Sequence, residues 1–330
     1  MDYILDEPVR VQCGGALVRL ADDARKCVVF YGTPVEGTDD GLDPWGTGFL
    51  VGAQGTIYLV TARHVVQDKL DCTFAIRFND KQGGSQNFPI DAAEWEFHPT
   101  DESVDVAILE LQIPEWADCL MYPQSRGIMD AVKFASKDIG PGDIIYTVGL
   151  WKYLPGRKRN KPFVHVGHIG MVPEEEKITV NDWMPGRVGK PVEVEAYLTE
   201  GEPLMGASGS PVFVRRSLML GEGPFQQDPN AKVWAYGSVW LLGMLSDAYF
   251  ERATIERLGE RDIPRGVNIV VPSMKINEVL NQPKLVQRRE KKRLSSVRLP
   301  EKAAAHTNTK SPSGKEAFNR LLGAAVKKKS

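Results

Sequence analysis

Glycines and polar turns break most of this chain into short runs rich in Val, Ile, Leu, Phe and Tyr. Such runs fit a pleated, half-buried surface, so residues 27–31, 48–51, 56–60, 74–78 and 104–111 are predicted strands of an antiparallel barrel. Residues 114–129 have weak periodicity and scattered Pro and Gly, as expected of a crossing to a second barrel. Strands predicted beyond it are 144–150, 164–172, 192–198, 211–214, 233–245 and 267–271. Helical patterning is sparse. It predicts a turn after His64, an insertion over 250–258, and a helix over 273–280, where Ser273 offers an N-cap and Ile276, Val279 and Leu280 share a face. The resulting organisation is 1–125, 126–283 and a tail, 284–330.

Composition supports a folded body: of 330 residues, 42% are hydrophobic and 25% charged, enough for about two domain-sized units. Charge is unevenly spread. The net is −2, yet residues 284–330 hold 14 Lys and Arg against 3 Glu, which leaves the body 27 basic and 40 acidic residues, a net of −13. The tail opens with Arg288-Arg289-Glu290-Lys291-Lys292-Arg293, runs through a segment rich in Ala, Thr, Ser, Lys and Pro, and ends in Lys327-Lys328-Lys329-Ser330. It reads as a basic, flexible extension in which Phe318, Leu321, Leu322 and Ala325 could form a short helix on a partner. A protein partner, a nucleic acid, a membrane surface or the acidic body would each suit this charge, as would a solvated tail.

Cys13, Cys27, Cys72 and Cys119 are widely spaced with no CxxC pair, so reduced thiols in a cytoplasmic protein are expected rather than a metal site. The opening residues are acidic where a secretory signal would be basic, and the densest apolar run, 239–245, is too short to cross a bilayer. No membrane span is expected. A phosphate-cradling Gly-rich loop is also missing, and no cofactor is called for.

The chemistry lies in three stretches: Leu59-Val60-Thr61-Ala62-Arg63-His64, then Asp105-Val106-Ala107-Ile108-Leu109, then Gly206-Ala207-Ser208-Gly209-Ser210-Pro211. A serine hydroxyl is a poor nucleophile near neutral pH. It needs an imidazole to take its proton and a carboxylate to hold that imidazole in one tautomer. The glycines beside Ser208 suit a tight turn whose N–H groups, those of Gly206 and Ser208, face a developing oxyanion. His64 sits at a strand end, where reactive groups are commonly placed, rather than mid-strand as a core histidine would. Asp105 is preferred to Asp101 because it directly precedes the apolar run, and a buried Asp there needs a partner such as an imidazole N–H.

These motifs resemble the trypsin-like serine peptidases of the chymotrypsin fold: a small residue and Ala before His, Asp before an apolar strand, and Gly-x-Ser-Gly-[Gly/Ser]-Pro. The order His, Asp, Ser and the separations of 41 and 103 residues suit that family, and the resemblance spans residues 10–282. It implies an all-β fold of two antiparallel six-stranded β-barrels, with His64 and Asp105 on the first and Ser208 on the second, followed by a short C-terminal helix. The implied activity is that of a serine endopeptidase acting through an acyl-enzyme. Within the hexapeptide, the family pattern selects Ser208 over Ser210.

The resemblance also implies a substrate-binding strand carrying Leu245 and Ser246, with Ser246 supporting the acid and Ala248 and Gly266 near the pocket walls. Small wall residues imply an open pocket, whereas Glu202, six residues before Ser208, implies a preference for Lys or Arg if its carboxylate is buried there. Val65 stands where secreted relatives often carry a disulfide cysteine, in keeping with reduced thiols, and two departures bear on regulation: Ala207 replaces the Asp or Asn common before the nucleophile, and no Ile-Val-Gly-Gly type N-terminus is seen, so activation by a freshly cut N-terminus is not expected. The remaining histidines, His98, His165, His168 and His306, and the basic loop 157–161, read as structural or solvated. A different class of function is a catalytically latent barrel that binds a peptide or nucleic acid without turnover.

Overall fold

In the computed structural model of the protein, residues 20, 22–38, 41–90, 94–128, 139–173, 177–181, 190–215, 239–255 and 259–297 are described. The first half contributes strands β1 (Val28–Pro34), β2 (Leu42–Ala53), β3 (Thr56–Thr61), β4 (Phe74–Asn79), β5 (Ser85–Ile90), β6 (Trp95–Phe97), β7 (Ala107–Leu111) and β8 (Tyr122–Pro123). They pair in the order β5-β4-β1-β2-β3-β7-β6, with β8 lying parallel to β2. Gln54 and Gly55, at φ +48° and +83°, make the two-residue turn between β2 and β3; two positive φ angles are what the twist of a tight hairpin demands.

Of the two six-stranded barrels expected, strand pairing among the described residues closes one, in the second half, and leaves the first-half sheet as an open path. Its path ends on β5 and on β6, which has three residues. Pro89 in β5 has no N–H to give a further neighbour and suits an edge. Both faces of β1 and β3 are nonetheless covered, and Phe30, Tyr31, Tyr58, Leu59 and Val60 are buried.

Residues 114–128 form the crossing. Ala117 bridges back to Asp80, β8 reaches β2, and Ile128 bridges forward to Leu241. Beyond it lie β9 (Ile144–Gly149), β10 (Phe163–Met171), β11 (Ile178–Asn181), β12 (Pro191–Val194), β13 (Tyr197–Glu200), β14 (Pro211–Arg215), β15 (Trp240–Ile255) and β16 (Gly259–Pro272). Six of these close a barrel in the order β10-β13-β16-β15-β14-β9, while β11 and β12 pair separately. Period-two alternation gives the barrel strands two apolar faces. In β14, Val212 and Val214 join the cluster inside the barrel while Phe213 joins the core shared with the first half. In β15, Leu242 and Leu245 turn inward while Leu241 and Met244 face that shared core.

Several elements differ from the pattern-based expectations. The predicted strand 192–198 is two strands, because Glu195 and Ala196 separate β12, paired with β11, from β13, which enters the barrel. Of the insertion predicted over 250–258, residues 250–255 are strand, because β15 continues through Ile255 and pairs with β16 down to Gly259, so cross-strand pairing overrides local helix propensity; residues 256–258 lie outside the described residues. Helix Ser273–Leu280 occurs as expected and buries Ile276, Val279 and Leu280, but Pro272 holds the cap position and Ser273 is the first helical residue, itself buried. The early part of the predicted tail is helical, Pro283–Val297, with Leu285 buried at its start. The chain divides into two units, Met1–Leu285 and Val286–Ser330. Residues 298–330, with the helix expected around Phe318 to Ala325, lie outside the described residues, as do Cys13 and residues 233–238.

Candidate active site

β3 and β7 are antiparallel neighbours with Thr61 opposite Ala107, so the residues just past one strand meet those just before the other. His64 follows Thr61 in the short helix Arg63–Val66, and Asp105 precedes Ala107. One carboxylate oxygen of Asp105 accepts the backbone N–H of His64 at 2.9 Å, and the other lies 2.8 Å from His64 Nδ1. Asp105 is buried, while the imidazole is about a quarter exposed and open to a reactant. From the second half, Ser246 Oγ donates to the same Oδ2 at 2.5 Å. Three donors hold this carboxylate in one orientation.

Burial pulls the His64 pKa down, but the charge and hydrogen bond of Asp105, aided by the charge of Asp247, outweigh it and leave the pKa raised. Asp101 faces elsewhere. It accepts the N–H and hydroxyl of Ser103 at 2.9 and 2.6 Å, and its own N–H donates to His98 Nδ1. His98 in turn lies 2.8 Å from Glu278 through Nε2, a structural bridge.

Ser208 lies between two glycines with positive φ, Gly206 at +90° and Gly209 at +89°, a conformation that L side chains disfavour. A Cβ on Gly209 would also overlap the Thr47 carbonyl and the Thr61 hydroxyl, so glycine is required twice over. The loop is tied at both ends. Gly209 donates to the Leu245 carbonyl at 2.8 Å, Leu245 donates to the Ser210 carbonyl at 2.9 Å, and Thr47 N–H donates to the Ser208 carbonyl at 3.2 Å. Ser210 is fully buried and its hydroxyl has no partner among the described residues, whereas Ser208 is partly exposed.

Peptide groups are planar and trans, so anchoring a carbonyl aims the N–H of the same peptide the opposite way. The Met205 carbonyl accepts Lys152 N–H at 3.0 Å, which aims Gly206 N–H away from Lys152; the Ala207 carbonyl accepts Ser210 N–H at 2.9 Å, which does the same for Ser208 N–H. Ala207 N–H itself donates to Leu204. Among the described residues, the N–H groups of Gly206 and Ser208 have no acceptor.

Beside Ser208 opens a cleft of about 350 Å³, whose lining includes Leu204, Leu245, Ser246, Asp247, Ala248 and Asn268. Three of the predicted substrate-binding residues, Leu245, Ser246 and Ala248, are therefore brought together with Ser208. Glu202 and Gly266 are not part of the lining; Glu202 is exposed, and Gly266 lies within β16 at φ +69°, its carbonyl accepting Gly201 N–H. A second cavity, about 60 Å³, lies behind Asp105 against Ser246 and Lys275 and has room for a few waters. No group of three or more His, Cys, Asp or Glu among the described residues is placed to hold a metal ion, and no described helix is long and apolar enough to cross a membrane.

The family described as the trypsin-like peptidase domain matches residues 46–221, more than half of the chain, and takes in His64, Asp105 and Ser208. The chain belongs to the trypsin-like peptidase domain family. Its closed barrel, paired sheets and C-terminal helices are the trypsin-like fold. Similar solved structures include the Rv3671c protease from M. tuberculosis in its active form, 15% identical over 78% of this chain and 80% of that chain, with a TM-score of 0.40. The inactive form of the same protease is 16% identical over 78% of this chain and 88% of that chain, with a TM-score of 0.39. No curated protein sequence matches the chain.

Two residues of this peptidase site escaped the sequence reading. Asp247 follows Ser246 directly and borders both the cleft and the cavity behind Asp105; burial raises its pKa, against the hydrogen bond from Ala248 N–H and the attraction of His64. Thr47, between Gly46 and Gly48, is fully buried and bonded to the Ser208 loop. The glycines around Thr47 were the available signal, since they mark close backbone approach. The basic loop 157–161 is also less free than its charge suggests, because Arg77 donates to the carbonyls of Gly156 and Arg157, and Asn160 bonds Asn79 and Arg77.

Proposed function

We propose that the protein is a serine endopeptidase in which Ser208 attacks a peptide carbonyl, His64 acts as base and then acid, and Asp105 orients His64. The N–H groups of Gly206 and Ser208 stabilise the oxyanion of each tetrahedral intermediate. The observation that carries this reading is the pair of N–H groups at a partly exposed serine that have no acceptor among the described residues, together with an imidazole clamped by a buried carboxylate. His64 Nδ1–H donates to Asp105, which leaves Nε2 as the lone pair that can take the serine proton. As the amine leaves, the same Nε2 returns that proton, and a water then repeats the sequence on the acyl-enzyme. A protein or peptide is the substrate, and no cofactor has a step to perform. Cys27, Cys72 and Cys119 are unpaired thiols, and burial pushes Cys27 up to about 12, which supports a reducing, cytoplasmic setting.

A fluorophosphonate probe tests the proposal. Labelling located on Ser208 by mass spectrometry, and abolished by both Ser208→Ala and His64→Ala, is the expected result. An unlabelled wild type would favour the latent, binding-only barrel instead.

A further inference from the structure

In relatives that are activated by cutting, an acid beside the nucleophile receives the new N-terminus and sets the oxyanion loop. This chain has Ala207 there, 3% exposed and packed among the apolar side chains inside the second barrel. The loop is instead held from the opposite side, by the first sheet. Thr47 Oγ1 donates to the Gly206 carbonyl at 2.9 Å and accepts Leu150 N–H at 2.7 Å, while Thr47 N–H donates to the Ser208 carbonyl. A single residue thus fixes the carbonyls of both residues whose N–H groups form the proposed oxyanion hole.

Thr47 is itself held. Thr61 Oγ1 donates to the Thr47 carbonyl at 2.8 Å, so at the 2.7 Å contact between Tyr31 and Thr61 the tyrosine must be the donor. Burial pushes the Tyr31 phenol up, which keeps that proton in place. Tyr31, Thr47 and Thr61 are all fully buried, so no water competes for these bonds. The chain of donors runs one way, from Tyr31 through Thr61 to Thr47, and ends on the loop.

We propose that Thr47 is the positioning residue that latches the oxyanion loop in its working geometry, so that the enzyme is competent as synthesised and needs no cut N-terminus. The proposal rests on the serine endopeptidase reading. Without the Thr47 hydroxyl, the Gly206 carbonyl and Leu150 N–H lose their shared partner, and the Gly206–Ala207 peptide, free to turn at a glycine, no longer fixes the path of the backbone between the two N–H groups.

The test measures inactivation of the full chain by a fluorophosphonate over a concentration series, giving a maximal rate kinact and a half-saturation KI, for wild type, Thr47→Val, Thr47→Ser and Thr47→Cys. Expected is a fall in kinact of at least about tenfold for Thr47→Val with KI within about twofold, recovery to within about threefold of wild type for Thr47→Ser, and an intermediate rate for Thr47→Cys, whose thiol is a poor donor. A Thr47→Val protein as reactive as wild type would sink the latch while leaving the endopeptidase reading intact. Should Thr47→Val not fold, Thr47→Cys reacting at the wild-type rate would sink it equally. An untreated wild type that does not label would overturn both proposals together.

Discussion

Replacing Asp105 by Asn is the substitution whose effect the geometry fixes most closely. The carboxylate receives three donors: backbone N–H and ring Nδ1–H of His64, and the hydroxyl of Ser246. An amide has one oxygen and one NH2 group, so it can keep at most one side of this arrangement. If its oxygen stays on the backbone N–H, the NH2 faces Nδ1, which must then be the acceptor, and the imidazole proton moves to Nε2. Nε2 then has no lone pair for the serine proton. If the amide is turned over, its NH2 abuts the backbone N–H of His64, two donors in contact inside a buried site. The first arrangement avoids that donor–donor contact and is the one expected, so the base is lost while the volume is kept, and a loss of about 10,000-fold in the acylation rate follows, about 5 kcal/mol of transition-state stabilisation. The assay is the rate of fluorophosphonate labelling of Ser208, with thermal unfolding measured in parallel. Asp101→Asn is the control, since Asp101 serves only its own loop through Ser103 and His98, and its labelling rate should stay within about twofold of wild type. Labelling of Asp105→Asn within tenfold of wild type, in a folded protein, would refute the orienting role and the tautomer argument with it.

Three further outcomes are expected. Asp247→Asn removes a negative charge that helps raise the His64 pKa; because the imidazole must be neutral to act as base, the acid limb of the labelling rate should move to lower pH, which a pH series from about 4 to 8 would reveal. Ser210→Ala deletes a buried hydroxyl without a partner, so labelling should persist and the melting temperature should stay level or rise, as read by calorimetry. Gly209→Ala forces a side chain into the left-handed region and against Thr47 and Thr61; it should lower the melting temperature by about 5–10 °C or more and abolish labelling, and a wild-type-like melt would contradict the close approach.

Local chemistry was legible in the sequence where one short motif carried its own geometry. His64 after a predicted strand, Asp105 before one, and Ser208 between glycines were each singled out by the few residues around them, and so were most strands whose β-branched runs end at glycine. What was not legible depended on partners far along the chain. The strand character of 250–255 comes from pairing with 259–264, and local composition there favours a helix. The break in 192–198 exists because β11 claims β12. Glu202 has the right spacing from Ser208 for a pocket acid, but the loop turns its carboxylate to solvent. Thr47 is the clearest case: Gly46 and Gly48 mark a close backbone approach there, but nothing local says that the partner is Gly206, 159 positions away.

The two halves complete each other's chemistry in opposite directions. The second half sends Ser246 to the acid of the first, and the first half sends Thr47 to the oxyanion loop of the second. Neither bond can form unless the shared core of Phe213, Leu241 and Met244 is seated against the first sheet. The proposed base and acid lie on one side of that seam and the proposed nucleophile on the other, so on that proposal the alignment of all three is a property of the seam. A substitution such as Phe213→Ala, which leaves a cavity there, should slow the labelling of Ser208 at temperatures well below its own melting transition. The site would be lost by misalignment before the fold is lost by unfolding, and coincident loss of labelling and structure on heating would show that the seam has no such separate role.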